Sequence, residues 1–233
     1  MDERLTRTRR VFLKSGIFIS GAALAGMGVL RAADKDKEEE EVSPAEDLMR
    51  EHGVLKRVLL IYDEAMRRMM ANQDLPVETV ADSAKIIRNF IEDYHEKLEE
   101  NFLFPRFEKA GTLTDLVRTL RDQHAAGRRV TDLTLALAKQ STIKNAGERT
   151  QLADSLRQFI RMYNPHEARE DTVLFPAFRK IVSANEYASL GEDFEKKEHE
   201  LFGEDGFEKM VDKVTNIEKT LGIYELAQFT PKV

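Results

Sequence analysis

Apolar residues recur along most of the chain at alternating steps of three and four, the spacing that gathers them on one side of an α-helix. Leu48, His52, Leu55, Leu59, Tyr62 and Met66 form the first such series, which opens on Ser43-Pro44-Ala45-Glu46. A capping serine, proline at the first helical position and glutamate at the third predict a helix from there to about Ala71, with His52 on its inner face. Asn72 to Pro76 breaks the pattern. Val80, Ala84, Ile87, Ile91, Tyr94, Leu98 and Phe102 mark a second helix, ended by Ala110-Gly111-Thr112. A third runs through Leu113, Leu116, Leu120, His124 and Leu135 and stops in the polar stretch Gln140 to Gly147. The fourth, through Leu152, Leu156, Phe159, Ile160 and Met162, passes Pro165, where the lost amide predicts a kink. Ser183-Ala184-Asn185-Glu186 is another capping box and opens a fifth helix to about Phe202; a Gly203-Glu204-Asp205-Gly206 loop and a last helix to Leu221 follow. The expected fold is all-α: an antiparallel four-helix bundle over residues 44–182, with a C-terminal helical extension over 183–233 packed on its outside.

The turns locate the histidines. In an antiparallel hairpin, residues equidistant from the turn lie at one height, because both helices rise about 1.5 Å per residue. The midpoint of His52 and His95 falls in the Asn72 to Pro76 break, that of His95 and His124 at Lys109-Ala110-Gly111, and that of His124 and His166 at Asn145. Four histidines, one per helix, are therefore expected at one level.

The halves also repeat. His95 to Phe107 (His-Glu-Lys-Leu-Glu-Glu-Asn-Phe-Leu-Phe-Pro-Arg-Phe) aligns without gaps on His166 to Phe178, an offset of 71 positions, and His52 and His124 are 72 apart. Each half thus contributes one histidine from its first helix and a His-Glu-x-x-Glu segment from its second, about an approximate two-fold axis. Residues four apart on a helix share a face, so His95 with Glu99, and His166 with Glu170, can serve one centre. Glu96 and Glu167, one step on, could reach it from the side. Asp171 is a further candidate if a kink at Pro165 turns its face inward, whereas Glu100 is expected in solvent. Four imidazoles and two to four carboxylates are too many for one tetrahedral zinc. They suit two octahedral, carboxylate-bridged ions, with iron favoured and manganese or zinc behind it. Burying these carboxylates with no cation would cost several kcal/mol each. The alternative for any single histidine is a hydrogen-bonded core residue.

Composition narrows the field. The chain has 233 residues, 42% hydrophobic and 33% charged, with no cysteine, so disulfides, thiolate metal sites and cysteine nucleophiles are excluded. A net charge of −6 argues against nucleic acid as a partner. At the N-terminus, Thr8-Arg9-Arg10-Val11-Phe12-Leu13-Lys14 followed by a small and apolar stretch from Gly16 to Leu30 reads as an export signal over residues 1–33. It resembles the twin-arginine type, which delivers folded proteins across the bacterial inner membrane. The alternative is an uncleaved segment anchoring the chain to that membrane. Residues 34–43, rich in Asp, Lys and Glu, read as an acidic flexible linker.

His52, His95 with Glu96 and Glu99 ahead of Leu103-Phe104-Pro105, His124, and His166 with Glu170 ahead of Leu174-Phe175-Pro176 resemble the hemerythrin-like, or HHE cation-binding, family. The resemblance covers roughly Ala45 to Ile181. It implies a four-helix bundle around a non-haem di-iron centre that binds dioxygen, senses oxygen or redox state, or handles iron. His52, His95, His124 and His166 would be terminal ligands and Glu99 and Glu170 bridges. Oxygen-carrying members place a second histidine four residues after that of the third helix, and here the position is Arg128, expected in an external ion pair or in contact with a carboxylate that stands behind the ligands. His199 could compensate if the fifth helix folds back, or it could be a surface residue of the charged run Glu195 to Glu200. Tyr62, Tyr94 and Tyr163 lie near the proposed level, where a structural role is favoured over contact with a bound oxygen species. Three functions follow: a carrier, sensor or scavenger of dioxygen or a related small molecule; an enzyme acting on peroxide or nitric oxide with an unknown redox partner; or an iron store or structural metal-binding bundle.

Overall fold

A computed structural model describes residues 42–232. The export segment, and the linker through residue 41, lie outside the described residues. Those described are all-helical. The first helix, Pro44–Met70, begins as its sequence dictates: the Ser43 hydroxyl accepts from the Glu46 amide at 3.4 Å, and Arg67 and Arg68 sit in the last turn, where the helix dipole favours cations. The second rod, 78–110, is ended by Gly111 at φ 64°, a left-handed cap that only glycine adopts freely. The third is Thr114–Leu137. The stretch expected to be a polar loop is itself partly helical, Gln140–Lys144. Asn145 then caps the fourth rod, 146–181, through the amides of Gly147 and Glu148 at 3.0 and 3.2 Å.

The first rod packs on the second and fourth, and the third packs on the same two, so the four close a ring around a shared interior. Leu48, Leu55, Tyr62, Val80, Ile87, Ile91, Tyr94, Leu152, Leu156 and Phe159 are buried there, as the periodicity predicts. Beyond His124 the third rod departs from expectation. Gly127, Thr131 and Thr134 face inward and Leu135 is only partly buried. The cause is polar company: the Thr131 hydroxyl donates to the buried Glu92 carboxylate at 2.6 Å, and Thr134 meets Ser155 at 3.0 Å. Helices Ala184–Phe202 and Gly206–Leu221 lie against the first rod and each other. Phe194 packs edge-on against Phe102, Phe202 does the same against Phe90 and Tyr94, and Arg57 forks onto Glu218 at 2.9 and 2.6 Å.

Pro165 does not interrupt its helix, which runs on to Arg169. Pro165 and Arg161 are both exposed, so the carbonyl that loses its partner lies on the solvent side. The α-helical hydrogen bonding changes elsewhere. Ile87–His95, Glu99–Leu103 and Glu170–Leu174 are π-helical. The last two are exactly one repeat apart, and each ends on an i to i−5 bond, Phe104 to Glu99 and Phe175 to Glu170. Pro105 and Pro176 follow directly. A proline has no amide to donate, and its ring crowds the carbonyl four residues back, here Asn101 and Thr172. A widened turn relieves that clash, and such turns alter which side chains face inward.

Phe107 and Phe178, equivalent in the two halves, meet with ring centroids 6.1 Å apart, and both are fully buried. Phe178→Ala is expected to cost about 3–5 kcal/mol of stability, read as a lower denaturant midpoint at unchanged slope.

Candidate metal centre

The four histidines expected at one level do converge. His52 and His95 have ring centroids 4.7 Å apart, and His124 and His166 5.0 Å apart. All four are almost fully buried, and Glu99 and Glu170 between them are completely so. His52 Nε2 lies 3.4 Å from Glu170 Oε2, and its counterpart His124 Nε2 lies 3.4 Å from Glu99 Oε2. His166 Nε2 is 3.2 Å from Glu170 Oε1 and His95 Nε2 is 3.8 Å from Glu99 Oε2. The donor atoms form two sets, His52, His95 and Glu99 on one side and Glu99, His124, His166 and Glu170 on the other, with all donors in a set within 4.8 Å of one another. The sets share Glu99, while Glu170 turns one oxygen toward each side.

The opposite ring nitrogens are all engaged. His52 Nδ1 meets Asp171 at 2.7 Å and His124 Nδ1 meets Glu100 at 3.1 Å. His95 Nδ1 meets Glu51 at 2.8 Å and His166 Nδ1 meets the Gln123 side-chain oxygen at 2.8 Å. In the neutral imidazole, an oxygen acceptor at Nδ1 holds the single proton there and leaves the Nε2 lone pair to face the centre. His124 Nε2 and His166 Nε2 consequently point at each other across 3.3 Å. None of the four oxygens of Glu99 and Glu170 has a hydrogen-bond partner. Two facing lone pairs and four orphaned buried oxygens are what a cation would satisfy, so the residues present fit a metal ion.

The charge states reflect this crowding. Burial, then Glu170 close by, pushes the Glu99 carboxyl well up, whereas burial of Glu170 is outweighed by His166 and His52, which hold it below the ordinary carboxylate range. Burial pulls the His124 imidazole down to about 4 and lowers His95. His52 moves the other way: burial opposes its charge, but the Asp171 carboxylate bonded to it and the Glu170 carboxylate beside it raise it to about 10.

The remaining sequence candidates lie outside this cluster. Glu96 belongs to a neighbouring group, with one oxygen 2.6 Å from Arg128 and the other accepting from the Tyr163 hydroxyl at 2.6 Å. Glu167 pairs with Lys56 at 2.5 Å. Asp171 is drawn to the outer nitrogen of His52 and not to the centre. Its counterpart Glu100 is mostly buried on His124, contrary to the expectation of solvent. The π-turns that begin at Glu99 and Glu170 bring both acids, Glu100 and Asp171, onto the outer histidine nitrogens. His199 is exposed and takes no part, because the turn directs Glu198 inward in its place. Arg128 reaches Glu96 and Glu100, the second of its two expected roles, and Tyr163 serves the same carboxylate. Sequence reasoning overlooked Glu51, Gln123 and Lys56. The signal was present: Glu51 and Gln123 directly precede the paired histidines, and Lys56 and Arg128 follow them by four.

An all-helical protein with buried histidines and carboxylates arranged for a cation is thereby defined. The family model described as the hemerythrin HHE cation binding domain matches residues 43–178 and 115–230, and the chain belongs to that family. It is 53% identical over 195 residues to uncharacterized proteins of Mycobacterium bovis and of Mycobacterium tuberculosis strains CDC 1551 and H37Rv, covering 84% of this chain and 76% of each relative. No solved structure matches it.

Gly127 is what lets Tyr163 approach Glu96, since a Cβ there would stand 2.1 Å from the tyrosine oxygen. Tyr163→Phe should cost about 1–3 kcal/mol by removing one buried hydrogen bond. Gly127→Ala should cost more, and the pair less than the sum of the singles, in a double-mutant cycle of unfolding free energies.

Proposed function

We propose that the chain is a di-iron protein, an antiparallel four-helix bundle whose His52, His95, His124 and His166 hold two iron ions bridged by Glu99 and Glu170. The observation that carries this reading is the set of four orphaned carboxylate oxygens enclosed by four imidazole nitrogens. Six oxygen and nitrogen side chains with no thiolate favour iron, ahead of manganese or zinc. A bound pair of iron ions would supply reversible binding of dioxygen or a related small molecule, and the protein would act as its sensor, carrier or scavenger. The chain's own residues bind and orient. Glu51, Gln123, Glu100 and Asp171 fix the imidazole tautomers, and Phe104 and Phe175 stack on His124 and His52 at 5.5 and 5.6 Å, walling the site from water.

Arg128 supports a second reading. Committed to Glu96 and Glu100, it brings no ligand where a fifth histidine would stand, which leaves coordination room for an enzyme acting on peroxide or nitric oxide. An iron store or structural bundle is the third reading. Export rests on the paired arginines and the apolar stretch that follows, residues 1–33; no helix among the described residues is long and apolar enough to cross a membrane.

Metal analysis of the purified protein should find about two iron ions per chain, and His95→Ala should lose at least half. Equal iron in both proteins would end the assignment. Metal must also displace protons. With His52 protonated up to about 10 and Glu99 pushed up, protons compete with the cation throughout the neutral range. Apparent ferrous affinity should therefore rise from pH 6 to pH 8, with a calorimetric heat that depends on the buffer's own ionisation. A pH-independent affinity would contradict it.

A further inference from the structure

Lys56 and Arg128 occupy equivalent positions, four residues beyond the histidines of the first and third rods. Each faces a buried carboxylate that directly follows a histidine of the fourth or second rod, Glu167 and Glu96. The two pairs are not closed alike. Glu96 spends one oxygen on Arg128 and the other on the Tyr163 hydroxyl, both at 2.6 Å. Glu167 has the Lys56 ammonium 2.5 Å from Oε1, while its Oε2 has no hydrogen-bond partner and the residue is only 1% exposed. The repeat explains the missing donor. The position equivalent to Tyr163 is Glu92, itself an acceptor, which takes the Thr131 hydroxyl at 2.6 Å and faces Arg88 at 2.8 Å. Where Gly127 makes room for the tyrosine, the equivalent residue is the buried Leu55.

The flank around Glu167 is also the more open. The Lys56 side chain is 49% exposed against 24% for Arg128, and Asp171 on His52 is 35% exposed against 13% for Glu100 on His124. The two cations differ in hold as well. Arg128 sets a rigid guanidinium on two carboxylates, Glu96 and Glu100, at 2.6 and 2.7 Å. Lys56 is a point charge on a flexible stem, and its second contact, the Asn164 side-chain oxygen at 2.9 Å, is exposed. Swinging that head into water keeps the ammonium solvated. It leaves behind a buried carboxylate within electrostatic reach of His52 and Asp171. An arriving cation satisfies that carboxylate as the ammonium did.

We propose that divalent cations enter the centre on the Lys56 flank, where Glu167 is a transient ligand: the ion replaces the Lys56 ammonium on Glu167 and passes from there to the donors beside it, His52 and Glu170. The Arg128 flank stays closed, because both oxygens of its carboxylate are occupied. Glu167 is on this account a station on the way and not a resident ligand. The inference rests on the reading of a metal centre, but it concerns the route and not the resting site.

The test is anaerobic stopped-flow mixing of the full chain with ferrous ion, with uptake read from a ferrous-chelating dye and release from transfer of the bound ion to excess chelator. A residue on the route changes both rates by one factor and leaves the affinity alone, whereas a resident ligand or a merely structural residue changes release and affinity together. Glu167→Gln should therefore slow uptake and release alike by about tenfold, with affinity within about threefold of wild type. Lys56→Arg, which keeps the charge, should slow both by a similar factor, since a guanidinium fork can hold both oxygens of Glu167. It carries the test should Glu167→Gln lower the metal-free melting temperature. Glu96→Gln, on the closed flank, should leave both rates within about threefold. Unchanged rates in Glu167→Gln or in Lys56→Arg would overturn the proposal, as would a Glu96→Gln that slows uptake as much as Glu167→Gln does. Faster release with weakened affinity in Glu167→Gln would make Glu167 a resident ligand or a structural residue and overturn it equally. Wild type that takes up no ferrous ion at all would overturn the metal-centre reading itself, and the route with it.

Discussion

Two carboxylates, Glu99 and Glu170, stand fully buried in the interior of four packed helices, and the arrangement around them answers that constraint. A carboxylate removed from water needs a hydrogen-bond donor, a proton or a cation. Neutral imidazoles do not supply hydrogen-bond donors to the pair, because each spends its one N–H outward, on Asp171, Glu51, Glu100 or Gln123. The outward bonds orient the rings and leave lone pairs, which are acceptors, facing other acceptors. An interior organised in this way is costly for a metal-free core and suited to a cation. The cost falls on stability and the benefit on binding.

The second organising fact is the repeat. It extends beyond the motif to the π-turns, the stacked phenylalanines and the charged pairs of Lys56 with Glu167 and Arg128 with Glu96. Proline contributes mechanically: Pro105 and Pro176 force the preceding turn to widen, and the widened turn carries Glu100 and Asp171 onto the outer nitrogens. The C-terminal helices have no equivalent in the repeat. They cover one flank and place Glu198 there, so the molecule is symmetric at its ligands and asymmetric around them.

Much of this was legible in the chain. The Ser43, Ser183 and Gly111 boundaries, the periodic faces and the convergence of four histidines follow from rules of spacing that act over a few residues. The misreadings share a cause. Glu100 was expected in solvent and Asp171 at the centre through a kink at Pro165, because a uniform α-helical period was assumed through segments whose hydrogen bonding had shifted. His199 was a candidate on height alone, but height says nothing of rotation about the helix axis, and its turn presents Glu198 instead. Thr131 and Thr134 were missed because a polar inner face leaves no apolar period to detect.

The sequence by itself determined where most of the long helices begin and end, that the described residues are helical, and which six side chains can meet. Local backbone preferences and the fixed rise of a helix are encoded residue by residue. Only the tertiary structure decided which carboxylates face the centre and which stand behind a histidine or pair with Lys56 and Arg128. Those choices depend on the rotation of one helix against another, a quantity set by packing across the whole interior and not by any run of residues.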